Sequence, residues 1–483
     1  MYRRTIPGQI KFDIPFGVEL DSNNRWVKLA SIMPWDKIEE RYIQNFKGTN
    51  GQEAKSSRLA FAALYIQNRL VITDVETVEQ ISENPSMQYF CGFERYTTMK
   101  PFDSSLMVHF RKRISAEMMK EISEAAFAAE AKKSIEEEKK DDDGNDNGKS
   151  GGSERKPQGT LLLDATCCPS DIHYPTDIGL LNHARELTET IIDALHQQAP
   201  RGTIKPRTYR EIARKAYLSY SKRRKHTYGE LRFSICQQLQ YVRRNLDSIA
   251  KQVEQGAKLT ALGNELYRKL LVISEVYRQQ KLMYDEKENR AEGRIVSITQ
   301  PHLRPIVRGK VHAPVEFGAK VATAHIGGYS FMIHMDYENF SEAKYLKKTA
   351  EEYKRIFGFY PKVIIGDRAY AINENRNYCK SKGIRLSAPK RGRKSEDVKE
   401  AERKQLYRDG CRRNAIEGDY GTGKRKYGLD LIMTKLYETT LTAISFGFFV
   451  KNMERHLRLF VLRFFGNPPL FPHFRVFRTL LAG

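Results

Sequence analysis

No stretch of this chain is apolar for the roughly 18–20 residues that a membrane-spanning helix needs, so no membrane partner is expected. The N-terminal MYRRTIPGQIKFDIPFG is basic but lacks an apolar h-region, so a secretory signal is not expected either. Cysteine is scarce: Cys91, Cys167, Cys168, Cys236, Cys379 and Cys411 contain no CxxC pair. That excludes a zinc site built on closely spaced ligand pairs, and it excludes a disulfide scaffold. A reducing cytoplasm fits best. The eleven histidines are scattered, with no HExxH. Acid is short as well, with 59 Asp+Glu against 82 Lys+Arg, a net charge of +23. Such an excess points to a polyanionic partner, with solubility alone as the plainer reading. What is present suffices for a core: 40% of 483 residues are hydrophobic, which excludes global disorder. At roughly 100–200 residues per domain, two to four units are expected.

The first unit, residues 1–134, reads as helical. Residues 59–70 form an apolar helix, Thr73 to Glu76 spell a capping box, and Asn84-Pro85 stops the helix that follows. Asp103 caps a further helix that ends in Arg111, Lys112 and Arg113. A basic helix after a helix and turn suggests DNA docking, while basic residues at a helix C-terminus also serve the helix dipole. Residues 135–159 are charged and Gly/Ser-rich, a solvated linker.

Three leucines then run into Asp164 and stop at Pro169, a buried strand ending near an aspartate. Residues 178–295 change to long amphipathic helices, for example 227–255 and 259–285. Within them, residues 205–225 carry nine basic side chains and one acid, interleaved with Tyr209, Tyr217 and Tyr220. Strand character returns at 315–324, and Gly327-Gly328 turns it into a second strand through 335. A helix near 341–357 follows, then Lys362-Val-Ile-Ile-Gly-Asp367, a second buried strand ending in an aspartate. A basic connection leads to Arg412-Arg-Asn-Ala-Ile-Glu417 and an apolar helix over 429–457. This order predicts a mixed α/β core in two pieces, 160–177 and 296–457, interrupted by a helical insertion and followed by a tail, 458–483.

Asp164, Asp367 and Glu417 then form a candidate metal centre. Strand ends collect reactive groups in α/β sheets. Three carboxylates together repel one another and need cations to stay ionised, and hard oxygen donors suit Mg²⁺ or Mn²⁺. Taken singly, each strand-end aspartate serves equally well as a turn cap. A nucleotide cofactor is not expected. Gly418 to Lys424 fits GxxxxGK, but Arg425 stands where a phosphate loop needs Ser or Thr, and no apolar strand precedes it. Residues 380–426 hold 16 Lys/Arg against 7 Asp/Glu beside two of the three acids. Residues 205–225, with Lys222, Arg223, Arg224 and Lys225 at their end, suit phosphate contact and base stacking.

These segments resemble the DDE transposases of bacterial insertion sequences. LLLDATCCPSDI, KVIIGDRAY and RRNAIEGDYGTGK are similar to the three acid motifs of that group. Arg413, Glu417 and Lys424 reproduce its R-x₃-E-x₆-K spacing. The stretch from MPWDKIEERYIQNFKG to PFDSSLMVHFRKRIS resembles its helical N-terminal region. One departure is Gly410, where the group usually has Tyr; Tyr407 lies a turn earlier. Gly418, Gly421 and Gly423 weaken any helix past Glu417. Were it to persist, Lys424 would share the Glu417 face.

The resemblance implies an α/β fold: an RNase H-like mixed-sheet catalytic core, interrupted by the helical insertion and preceded by an all-α N-terminal DNA-binding domain. It implies that Asp164, Asp367 and Glu417 hold two Mg²⁺ or Mn²⁺ ions and catalyse cleavage and joining of DNA. It assigns DNA contacts to Arg413, Lys424, Arg368 and Tyr370, with Arg111 and Arg113 reading sequence. The partners implied are double-stranded DNA, as element ends and target, and a second copy in a synaptic dimer, near the nucleoid. Two other readings stand beside it: a metal-dependent nuclease without strand transfer, and a transposase-derived DNA-binding protein without catalysis.

Overall fold

The computed structural model describes Asp13 and residues 19–46, 53–142, 156–307, 315–388 and 400–465. The chain opens with helices: α1 (Arg25–Ile32), α2 (Trp35–Ile43), α3 (Ser57–Leu70), α4 (Asp74–Glu83), α5 (Pro85–Cys91), α6 (Leu106–Arg113) and α7 (Ala116–Asp142). Their starts follow from local chemistry. Asn24, Ser56, Thr73 and Asn84 each accept a hydrogen bond from a first-turn backbone N–H. Pro85 ends α4 and opens α5, where its missing N–H costs nothing.

Helix α7 overruns the stretch read as linker. Met119, Ile122, Phe127, Ala131 and Ile135 keep a helical spacing and are buried, so the helix continues to Asp142. Residues 143–155 of that stretch lie outside the described residues.

The sheet follows. Strand β1 (Thr160–Pro169) leads into four helices: α8 (Asp177–His196), α9 (Arg210–Ser221), α10 (Tyr228–Glu254) and α11 (Gly263–Glu286). Thr227 and Glu230 form a reciprocal capping box on α10. These helices build cores of their own, with Leu181, Ala184, Val242, Ile273 and Val276 in one and Ile191, Ile192, Leu195 and Ile249 in another. The chain rejoins the sheet through β2 (Pro305–Val307), β3 (Val315–Ile326), β4 (Tyr329–Asp336), β5 (Val363–Ile365) and β6 (Arg385–Ser387). Between them lie α12 (Leu346–Phe357) and α13 (Asn373–Ser381), and after them α14 (Glu400–Lys426) and α15 (Tyr437–Phe465). The strand order is β2-β3-β1-β5-β6, with β4 also on β3. β1 is antiparallel to β3 and parallel to β5, and β5 is parallel to β6.

The C-terminal tail also needs correction, because α15 does not stop at 457 and residues 458–465 continue it. Residues 466–483 are outside the described residues.

Two cores flank the sheet. The larger joins the N-terminal helices to one sheet face. Phe61, Tyr65 and Phe127 meet Phe446 or Phe449 of α15, and Leu161, Leu163, Ala324 and Tyr353 belong to the same cluster. Each fully buried side chain of this kind contributes about 1.5–3 kcal/mol, so no clean seam separates the N-terminal helices from the sheet. The smaller core sits on the other face, where Cys168, Ala319 and Val321 pack under Ile416 and Tyr420 of α14.

Candidate active site

Asp164 lies on β1, and Asp367 lies just past the end of the neighbouring strand β5. β1 and β5 run parallel with Leu162 opposite Ile365, and each aspartate lies two residues further on. Leu161 and Leu163 point into the larger core, whereas Leu162 packs against the smaller one. By alternation, Asp164 therefore faces α14. β5 ends at Ile365, so the chain is free to turn there. The Asp367 carboxylate accepts the Ala369 N–H at 2.8 Å and caps the short 3₁₀ turn Arg368–Tyr370. The Asp164 carboxylate accepts the Ala165 N–H at 2.8 Å.

Burial pushes the Asp164 carboxyl up to about 6, and the charges of Glu342 and Asp367 add to this. The Ala165 N–H and the Arg413 guanidinium act in the other direction. A buried carboxylate driven towards neutrality beside a second one forms the kind of donor set that a divalent cation relieves.

Helix α14 crosses this face. Arg385 of β6 donates to Asp409 at 2.5 and 3.2 Å, and Arg412 donates to Thr160 Oγ1 at 3.3 Å. The helix persists through Lys426 despite its glycines. Gly423 explains part of this, since a Cβ there would come within 2.9 Å of Leu429 and hold α14 away from its neighbour. Lys424 therefore does share a flank with Glu417 and Arg413. The GxxxxGK segment lies inside this helix, not in a loop before one.

Asp164, Asp367 and Arg413 are brought together. Glu417 rides on the same helix as Arg413 but is exposed, and among the described residues no group of three His, Cys, Asp or Glu side chains stands close enough to hold a metal ion. Arg368 is exposed beside Asp367, and Lys222, Arg223, Arg224 and Lys225 are exposed where α9 turns into α10. Arg223 there pairs with Glu230 at 2.6 Å.

Two expected DNA contacts are corrected. The Arg111 side chain is only 6% exposed and is bound by Asp74, at 3.0 Å to Oδ2, and by Gln67 at 2.6 Å, so it ties α6 to α3 and α4. Tyr370 is 1% exposed, with its ring under Gly366, where a Cβ would come within 2.7 Å of it. Neither side chain can reach DNA. Arg113 is half-buried over the Phe46 ring at 4.9 Å, which favours the structural reading of this basic helix end.

Sequence reasoning missed Glu342, which lies at the start of a 3₁₀ turn with no motif around it. Lys320 holds it at 2.8 Å, and its charge reaches Asp164. It also missed Lys451 and Asp419, an ion pair between α15 and α14 in which the lysine is buried and the aspartate half-buried. A lone lysine within ISFGFFVKNM was the available signal, since a buried ammonium needs a partner.

Residues 364–454 match the family described as a transposase DDE domain, a span that includes Asp367, Arg413, Glu417 and Lys424. Residues 16–113 match a transposase domain (DUF772), which takes in α1–α6. Asp164 lies outside both spans. A 191-residue stretch is 27% identical to the uncharacterized protein ORF8 in the nfe locus of Rhizobium meliloti, covering 38% of this chain and 84% of that protein. No solved structure matches the chain. No helix among the described residues is long and apolar enough to cross a membrane. The C-terminal stretch that carries Asp367, Arg413 and Glu417 and the helices of the N-terminal part are thus each similar to a transposase domain family.

Proposed function

We propose that the protein binds the ends of its own mobile element, cleaves phosphodiester bonds there and joins the freed 3′-hydroxyls to target DNA. The observation that carries this reading is the placement of Asp164 on β1 beside Asp367, just past the end of the neighbouring parallel strand β5, beneath a helix bearing Arg413, Glu417 and Lys424. That arrangement supports an RNase H-like core. Asp164 and Asp367, completed by Glu417, would hold two Mg²⁺ or Mn²⁺ ions, which supply activation of the attacking oxygen and charge stabilisation of the leaving one. Arg413, half-buried and attractive to Asp164, places positive charge where a scissile phosphate must lie. Lys424 extends that charge along the same flank, and Arg368 adds to it beside Asp367.

In this reading the helices of residues 1–134 bind element ends and the helical insertion 178–295 adds phosphate contacts. The active form is a dimer on paired ends, in the cytoplasm. The test uses the full chain, Mg²⁺ or Mn²⁺, and duplexes carrying the element's ends. Cleavage that leaves 3′-hydroxyls, followed by joining of precut ends to a plasmid, supports the reading. Cleavage without joining identifies a nuclease. Binding with neither product identifies a DNA-binding protein without catalysis.

A further inference from the structure

Against one flank of α14 lies a largely buried polar cluster, in which only the Asp419 side chain, 26% exposed, keeps some contact with solvent. Lys451 of α15 is 5% exposed and donates to both the Asp419 carboxylate and Ser330 Oγ. Ser330 Oγ donates to Asp419 at 2.7 Å. The His325 ring lies 3.4 Å from the same carboxylate and 3.2 Å from Ser330 Oγ. Asn452 clamps the backbone of Ser330, accepting its N–H at 3.1 Å and donating to its carbonyl at 2.7 Å. One residue along, Tyr420 and Thr323 share a hydroxyl contact of 2.5 Å, and the Tyr420 ring meets His325 edge-on at 5.7 Å. Thr323 is the cross-strand partner of Asp164.

The cluster grips one flank of α14. At about 100° per residue, Asp419 and Glu417 lie about 200° apart around the helix. Ile416 and Tyr420 face the sheet, so Asp419 is on one side of that contact, and Arg413, Glu417 and Lys424 are on the other. Apolar packing alone tolerates small rolls of a helix, whereas a largely buried ion pair with directional hydrogen bonds does not. Such a pair is often no more stabilising than well-packed apolar residues, so its use here is better explained by geometry than by stability.

We propose that the Asp419–Lys451–Ser330–His325 cluster is a positioning device. By fixing the roll of α14 from that flank, it sets where Arg413 and Glu417 stand relative to Asp164 and Asp367. The lever is long enough to matter. Side-chain tips lie about 5–6 Å from a helix axis, so a roll of about 30° moves a carboxylate by about 3 Å. That exceeds what cation–oxygen bonds of about 2.0–2.1 Å tolerate. This inference rests on the reading of those residues as the active site.

The experiment replaces the pair by apolar residues, Asp419→Leu with Lys451→Met, in the full chain. Melting temperature, affinity for element-end DNA, Mn²⁺ binding followed by the EPR signal of the free ion, and single-turnover cleavage are measured. The melting temperature and DNA affinity should stay near wild type, while cleavage falls by about a hundredfold and Mn²⁺ binding weakens with it. A folded double variant that binds Mn²⁺ and cleaves as wild type does would overturn the proposal. Should the double variant not fold, Ser330→Ala carries the test. It drops one hydroxyl of the cluster, and unchanged Mn²⁺ binding and cleavage there would overturn the proposal equally. If wild-type protein neither binds Mn²⁺ nor cleaves, the active-site reading itself fails, a result distinct from either variant outcome.

Discussion

The hydroxyls of Thr323 and Tyr420 meet at 2.5 Å, joining the strand partner of Asp164 to the helix that carries Glu417. Tyr420→Phe removes one oxygen and leaves the ring in place. Losing that hydrogen bond should cost about 1–3 kcal/mol of stability, because Thr323 is left buried without this partner. Cleavage should slow several-fold with unchanged DNA affinity. Thermal melts and single-turnover assays check both, and a variant with wild-type cleavage would show the contact to be structural only.

Asp164→Ala and Asp367→Ala should each abolish cleavage while leaving DNA binding largely intact. The backbone N–H groups of Ala165 and Ala369 lose only a side-chain hydrogen-bond acceptor. Glu417→Ala should do the same with still less effect on folding, since that side chain is exposed. Gel-shift and cleavage assays on one preparation separate the two effects. Residual cleavage by Asp164→Ala near the wild-type rate would remove it from the site.

Arg111→Ala should act on stability, not on sequence choice. The substitution takes the guanidinium from Asp74 and Gln67, which then keep only each other, at a cost of about 1–3 kcal/mol. Lys112→Ala, exposed on the same helix, should leave the melting temperature unchanged. A loss of discrimination for element ends in Arg111→Ala that is not matched by a lower melting temperature would restore the reading role.

Lys222, Arg223, Arg224 and Lys225 are exposed together, and the Arg223 guanidinium is shared with Glu230. Neutralising all four should flatten the dependence of log K on log salt by about 0.9 for each phosphate that is no longer neutralised. Binding should weaken alike on all sequences. Competition titrations at several salt concentrations give the slope, and an unchanged slope makes this turn a plain solvated surface.

Acid should weaken the fold through His302. Burial, with Arg304 adding repulsion, pushes its ring down to about 4 from an ordinary 6.5. Between these values the unfolded chain binds a proton that the folded chain refuses, so stability falls as pH drops from 6.5 towards 4. His302→Phe keeps a ring between Tyr337 and Tyr437, 4.5 and 5.6 Å away, and removes the titration. Its melting temperature should fall less on acidification from neutral pH than that of the wild type.

The strands that carry Asp164 and lead to Asp367 were readable because Leu161–Leu163 and Val363–Ile365 are short apolar runs, but the end of the first was not: β1 continues past Asp164 to Pro169, paired with β3, so that aspartate sits in mid-strand. The helical stretch after 177 was readable from its long amphipathic periodicity, whereas the capping box of Thr227 and Glu230 emerged only in the structure. The run of α14 past its glycines was not readable. It depends on Leu429 folding back against Gly423, a tertiary contact that outweighs local propensity. The burial of Arg111 and Tyr370 was hidden for the same kind of reason. A basic residue at a helix end and a tyrosine after an aspartate look alike whether they face solvent or a partner 37 residues away. Lys451 and Asp419, 32 positions apart, show how a largely buried pair leaves only an out-of-place lysine as its trace.

The shared core of the N-terminal helices and α15 bears on how copies of such a gene decay. Phe446 and Phe449 are covered by Phe61 and Tyr65, from the opposite end of the chain. A reading frame that loses either end exposes a strip of aromatic rings, and its product should aggregate or be degraded. On the function proposed above, broken copies would then be silent passengers in a genome, unable to compete with intact protein for element ends as freestanding DNA-binding fragments would.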